Sequence, residues 1–353
     1  MNKLGKIGLS ALCGSLAAVA ANAGALDVSG GATVTYSSNE KETTGNPLGM
    51  SSAVSFAGNG ELDGGQTVSL AIDNNDKSAF SVASMSLGTN SIGTFKLSLG
   101  TGGVGIDSYD DMMPSAWEET WGTSLGTDVN LITGVGSSTS LEWKLPTIAG
   151  STLAFAVAPV NDGIQSNDKS GSGSVGGESV GLGYDVSLNI NASLGQEALS
   201  GLNIFGGYSN TEQYRTKDTG SKGDQAEDRE EGTVGVTFAL GPIEAGLQYT
   251  GEYTGNRGAT GASEVAGYKN IAWGVAFNVN DNLSLSYAEF SSRKGWENQG
   301  DNESVDLDIE SMQLAYTMGG ASIKIAETEV TNAAYSSTTY NDRGATTIAL
   351  TLA

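Results

Sequence analysis

From about residue 26 onward the chain alternates apolar and polar residues with a period of two, in short stretches separated by turns. Leu26, Val28, Ala32, Val34 and Tyr36 open the series; Val54 with Phe56, and Val68, Leu70 and Ile72, continue it. Further stretches read at 80–87, 95–99, 141–145, 153–157, 180–190, 202–208, 234–240, 243–253, 271–279, 283–290, 305–318, 323–326 and 348–352. The connections alternate too. Short turns (Gly241-Pro242, Asn280-Asp281-Asn282, Gly319-Gly320) exchange with long polar segments near 159–178, 210–232, 254–267, 291–304 and 327–345. Hydrocarbon offers no hydrogen bonds, so a sheet that crosses a bilayer must close on itself, with one kind of hairpin end on each side. The pattern predicts an all-β, transmembrane antiparallel β-barrel of about sixteen strands and about eight long loops. No apolar run of about 18 residues follows residue 24, which excludes a helical membrane protein.

The first 23 residues have a different character. Lys3 and Lys6 precede the apolar block Ile7–Ala20, and Ala21-Asn22-Ala23 forms a small-x-small site before Gly24. This is the layout of a cleaved export signal, so residues 1–23 are expected to be removed and 24–353 to form the barrel. Cys13 is the single cysteine and falls inside that block. A disulfide framework and a thiolate metal site are thereby excluded from the mature chain.

Composition narrows the function. With 17 basic and 40 acidic residues the chain carries a net charge of −23, which opposes nucleic-acid binding and attracts cations. Glycine is frequent (51) and proline scarce (5), as turns between uninterrupted strands require. Disorder does not fit an apolar content of 38% arranged on a strand period. There is no histidine, so the usual bases and imidazole metal sites are missing; no enzymatic activity, metal or cofactor is expected. Aromatic residues at stretch ends suggest two interfacial girdles, Tyr36, Tyr208, Tyr253, Tyr268 and Phe290 toward the long loops and Phe155, Phe238, Trp273 and Phe277 toward the short turns.

One segment, about 100–138, interrupts the rhythm after the fifth stretch. It contains Ile106-Asp107-Ser108-Tyr109-Asp110-Asp111-Met112-Met113-Pro114-Ser115-Ala116-Trp117-Glu118-Glu119-Thr120-Trp121. Two tryptophans and two methionines are too apolar for a water-exposed loop and need a wall to pack on. Pro114 to Trp121 reads as a short helix, with proline in the first turn and acids close behind.

Signal, barrel and interrupting third loop together resemble the trimeric general porins of Gram-negative bacteria, over essentially the whole mature chain. The resemblance implies a passive outer-membrane channel for ions and small hydrophilic solutes, a homotrimer surrounded by outer-membrane lipid, and a third loop folded into the lumen. It also implies a constriction in which loop carboxylates face wall bases. On the loop the candidates are Asp107, Asp110, Asp111, Glu118 and Glu119. Strand parity puts Lys96, Lys144 and Lys324 on the polar face. Asp306, Asp308 and Glu310 share one face of another strand and are expected on the channel wall. Beyond them Met312, Leu314, Tyr316 and Met318 have the opposite parity, which a bulge near Ser311 or an inner face packed on loop residues would explain. The Pro-Glu-Phe-Gly motif of some enterobacterial relatives is absent and the wall has few arginines, so selectivity should lean toward cations. Two alternatives remain open, a substrate-selective outer-membrane channel and a surface-exposed adhesin-like or calcium-binding β-protein. A single calcium-type nonapeptide, Gly102 to Asp110, has no tandem neighbour to stack on.

Overall fold

The computed structural model describes residues 26–40, 46–75, 82–100, 102–122, 125–161, 180–191, 199–213, 227–255, 265–297 and 304–352. The expected signal peptide and Phe80 of the fourth stretch lie outside them. The strands are β1 (Leu26–Glu40), β2 (Leu48–Glu61), β3 (Thr67–Asn75), β4 (Val82–Thr89), β5 (Gly93–Leu99), β6 (Thr139–Lys144), β7 (Ser151–Ala158) and β8 (Val180–Ile190). They continue as β9 (Leu202–Gln213), β10 (Arg229–Leu240), β11 (Ile243–Tyr253), β12 (Val265–Asn280), β13 (Leu283–Trp296), β14 (Asp306–Met318), β15 (Ala321–Thr331) and β16 (Arg343–Leu352). Each pairs antiparallel with its neighbours in sequence, and β1 pairs with β16, so the sheet is a closed barrel. Closure removes both free edges. Several strands outrun their apolar pattern: β9 reaches Gln213 and β10 begins at Arg229. Above the apolar band both faces are polar, so alternation stops while the hydrogen-bond ladder goes on.

The two faces divide cleanly. Outward, Phe95, Trp143 and Phe155 lie in register across β5–β7, with ring centroids 5.9 and 6.1 Å apart. Val34, Leu97, Leu247, Ile271, Ile348 and Leu350, on five different strands, are large, apolar and exposed, as an outer face set in hydrocarbon requires. Inward, hydroxyls bond across the strands, Thr33 to Thr351 at 2.9 Å and Ser37 to Thr347 at 3.0 Å. This division makes a direct prediction. Leu247→Arg, at mid-strand on the outer face, should destabilise the barrel by about 2–4 kcal/mol in urea unfolding from lipid vesicles, the cost of a guanidinium near the bilayer midplane.

On β14 the expectation fails. Asp306, Asp308 and Glu310 face outward, and Leu307 and Ile309 face the lumen with exposures of 0% and 1%. No bulge occurs at Ser311; pairing to β13 and β15 runs in unbroken register. The second explanation of the parity switch is the right one. At this height loop residues cover the inner wall, so apolar residues point in and carboxylates point out. Glu310 stands opposite Glu289 and Glu329. Tyr287 donates its hydroxyl hydrogen bonds to Glu289 at 2.7 Å and Glu310 at 3.1 Å, and Arg293 binds Asp306 at 2.5 and 2.7 Å. For the same reason two expected girdle aromatics, Phe290 and Tyr268, point inward.

Candidate functional site

The segment between β5 and β6 folds into the barrel. Among the described residues of this segment, Gly105–Tyr109 alone is helical, as a short 3₁₀ stretch. The helix expected at 114–121 does not form; the wall takes its amides, those of Trp117 and Glu118 being ones that a helix would use internally. Ala116 N–H donates to Ser286 Oγ at 2.9 Å, and Trp117 and Glu118 N–H donate to Gln313 Oε1 at 3.0 Å each. Gln313 Nε2 returns a bond to Glu118 O at 2.8 Å. Gln248 on β11 does the same further back, accepting from Met112 N at 3.0 Å and donating to Tyr109 O.

Apolar packing holds the same stretch. Met113 and Leu125 are buried with Phe205, Ala272, Phe290, Leu307, Ile309 and Val330 of the wall, and Met112, Trp121, Val129 and Leu131 lean on that cluster. Trp121 meets Phe290 edge-on at 4.9 Å, and Tyr109 stacks on Phe205 at 5.4 Å. The two methionines and the two tryptophans thus have the wall that their apolarity required; Trp117 lies under Lys324, whose Nζ is 5.9 Å from the ring centroid. The connection between β15 and β16 closes over the far limb. Ala334 N–H donates to Thr127 O, and Arg343 Nη1 donates to Leu125 O at 2.7 Å.

Where the loop leaves and rejoins the wall, buried carboxylates receive its amides. Gly105 N–H donates to Glu142 Oε1 at 3.1 Å. Ile106 and Val135 N–H donate to Asp185 Oδ2 at 3.0 and 3.2 Å. Thr133 and Gly134 N–H donate to the two oxygens of Glu231 at 2.8 and 2.9 Å, and Arg229 bridges Glu231 and Glu252. Sequence reasoning missed Glu142, Asp185, Glu231, Gln248 and Gln313. Each sits on the polar parity of its strand, where a loop anchor and a water-facing residue look alike.

Among the expected loop carboxylates, Asp107, Asp110, Asp111 and Glu118 are partly buried and Glu119 is exposed. Burial pushes the carboxyls of Asp110 and Asp111 up to about 6, with neighbouring Asp107 and Glu119 adding to the first, Glu119 and Asp110 to the second. Asp107 is raised by burial too, against the Gly103 N–H that it accepts at 2.6 Å and the charge of Lys96. The three lysines lie on the inward face as parity required, yet they do not face the loop across the lumen. Lys96 Nζ donates to Gly103 O at 3.2 Å, Lys144 pairs with Glu142 at 3.2 Å, and Lys324 caps Trp117. They therefore touch the loop or its anchors. Across the lumen, the inward positions of β1–β4 include the small hydroxyls of Thr33, Thr35, Ser51, Ser55, Ser84 and Ser86, with a carboxylate, Asp73, opposite Ser55, and no base among the described residues of these strands.

A closed barrel of sixteen strands, lipid outside, with its third long connection packed against the inner wall, is a channel architecture. The chain matches the Gram-negative porin family over residues 8–350. It belongs to that family. This porin is accordingly a protein of the outer membrane. No curated protein matches it in sequence. Among solved structures it is similar to the outer-membrane protein OmpT of Vibrio cholerae, with 10% identity over 95% of this chain and 99% of that one, at a TM-score of 0.63. It is similar as well to OmpF of Salmonella typhi in complex with daunomycin, with 14% identity, coverage of 92% and 98%, and a TM-score of 0.61. An anion-selective porin from Comamonas acidovorans matches with 13% identity, coverage of 93% and 99%, and a TM-score of 0.58. At these identities the likeness is one of fold, so ion preference has to be read from this porin's own lumen.

Proposed function

We propose that this porin is a passive, water-filled diffusion channel for ions and small hydrophilic solutes that favours cations and works as a homotrimer in outer-membrane lipid. The observation that carries the cation preference is the sign of the lumen: Asp107, Asp110, Asp111, Glu118 and Glu119 on the loop, hydroxyls and Asp73 without a base on the described part of β1–β4, and the candidate lysines held at the loop or its anchors. A potential of one sign concentrates counter-ions in a narrow aqueous passage. The Comamonas channel, described as anion-selective, has the same fold, so the sign is a property of side chains. Reversal potential in planar bilayers under a salt gradient tests the reading; an anion preference would overturn it. The trimer is supported by the Vibrio protein's trimer form, and unheated gel mobility against a heated control tests it. The proposal assigns no catalytic residue, metal or cofactor.

A pH dependence follows. Asp110 and Asp111 titrate near 6, so they are charged at pH 7.5 and neutral at pH 4.5. Cation preference should fall as pH drops through about 6, at a pH where an ordinary carboxylate near 4 would still be ionised. A selectivity that stays flat from pH 7.5 to 4.5 would remove these two residues from the permeation path.

A further inference from the structure

The loop anchors form a geometric unit that neither strand parity nor the resemblance foretold. Glu142 on β6 is opposite Ala156 on β7, which is opposite Asp185 on β8; Asp185 is opposite Ser209 on β9, and Ser209 is opposite Glu231 on β10. Three carboxylates on alternate strands thus occupy one horizontal row of the inner wall. Their exposures are 1%, 1% and 2%, far below what unpaired carboxylates tolerate. Between them they accept five consecutive-in-space amides, those of Gly105 and Ile106 on the outgoing limb and of Thr133, Gly134 and Val135 on the returning one.

Asp185 is the centre of the row and the only member that binds both limbs through one oxygen. Glu142 has Lys144 and Glu231 has Arg229 as counter-charge. Asp185 has no ion pair among the described residues, and its Oδ1 is without a hydrogen-bond partner. Its buried charge is therefore compensated by the two loop amides, with the Ser209 hydroxyl beside it on β9. The limbs are built to reach it. Gly105 and Gly134 both have left-handed φ, +61° and +49°, and a Cβ on either would overlap the Asp185 carboxylate. Approach this close is available to glycine alone.

We propose that Asp185 is a positioning residue that clasps the two limbs of the constriction loop and thereby sets the width of the channel. The proposal rests on the channel reading given above. Selectivity and flux are decided at the narrowest segment, and the loop projects from this neck. The experiment uses the full mature chain, assembled in detergent, checked for heat-modifiable mobility and studied one channel at a time in planar bilayers. Three variants are compared with the parent. Asp185→Leu removes the oxygen that both amides share and should raise conductance on the order of 1.5-fold, with added current noise, because the narrowest segment is released. Asp185→Asn keeps a carbonyl oxygen for both amides and should behave like the parent. Gly134→Val leaves every strand residue in place and lifts the returning limb from β8; it should reproduce the Asp185→Leu behaviour and stands in for it should Asp185→Leu fail to assemble. Parent-like conductance and noise in an assembled Asp185→Leu or Gly134→Val channel overturns the clasp, as does an Asp185→Asn channel as leaky as Asp185→Leu. A parent that carries no current defeats the channel reading instead. The clasp is then read from chymotrypsin cleavage after Trp117 or Trp121, faster in Asp185→Leu if the clasp exists and unchanged if it does not.

Discussion

Replacing Asp110 and Asp111 together by Asn lowers the cation-to-anion permeability ratio of this porin severalfold at pH 7.5 and low salt. The magnitude follows from Coulomb's law. One unit charge about 7 Å from a passing monovalent ion contributes about 0.6 kcal/mol at the dielectric of water, so two contribute about 1.2 kcal/mol, or roughly sevenfold in local ion occupancy. Water is an apt reference because the ion travels through solvent, although both carboxylates are partly buried in the loop. Three controls sharpen the result. At about 1 M salt the Debye length is about 3 Å and most of the difference between parent and variant should vanish. At pH 4.5 the parent should resemble the variant, since both of its carboxyls titrate near 6. Conductance itself should change less than selectivity, because Asn fills the same space. Unchanged reversal potential at low salt would place the selectivity elsewhere in the lumen.

The second large effect concerns how the loop is seated. Phe290 is 3% exposed, meets Trp121 edge-on and lies in the cluster that joins Met113 and Leu125 to the wall. Phe290→Ala removes a ring from a packed interior, a change that ordinarily costs about 3–5 kcal/mol. Strand pairing of β13 through this position remains, with Phe290 opposite Ala272 and Ile309. The cost therefore falls on the loop more than on the barrel. The variant should assemble and keep its heat-modifiable mobility while showing a lower urea midpoint and frequent transitions to higher conductance. Phe290→Leu, which keeps most of the apolar volume, should recover a quiet channel. An Ala variant as quiet and as resistant to urea as the parent would mean that hydrogen bonds from Gln248, Ser286 and Gln313 suffice to hold the loop.

Much of this architecture was legible because its causes are local or periodic. Alternation at Leu97 and Lys96, or Ile323 and Lys324, names the outer and inner face from a single strand, and both lysines do point inward. The segment 100–138 announced its place by carrying Met112, Met113, Trp117 and Trp121 where a solvent loop would be polar. Parity misled at β14, and for a definite reason. Alternation says that two faces differ; it does not say which one meets water. Where a loop covers the inner wall, as beside Leu307 and Ile309, apolar residues belong inside and Asp308 and Glu310 belong outside. The helix at 114–121 failed on similar grounds, since local propensity could not register that Ser286 and Gln313, some 170 to 196 residues away, would take its amides. The lysines lie on the inward face; Lys96 acts on Asp107, one of the loop acids, whereas Lys144 pairs with Glu142 of the wall and Lys324 caps Trp117.

What the amino-acid order alone determined is the barrel: about how many strands it has, that each presents two unlike faces, and which connection leaves the wall, all consequences of backbone satisfaction in hydrocarbon and of a two-residue period. Only the tertiary structure decided how the lumen is furnished. The clasp at Asp185, the acid-bearing loop set opposite a wall of hydroxyls and Asp73, and the outward carboxylates of β14 arise from contacts between residues distant in the chain, whose meeting depends on barrel curvature and register that no local pattern encodes.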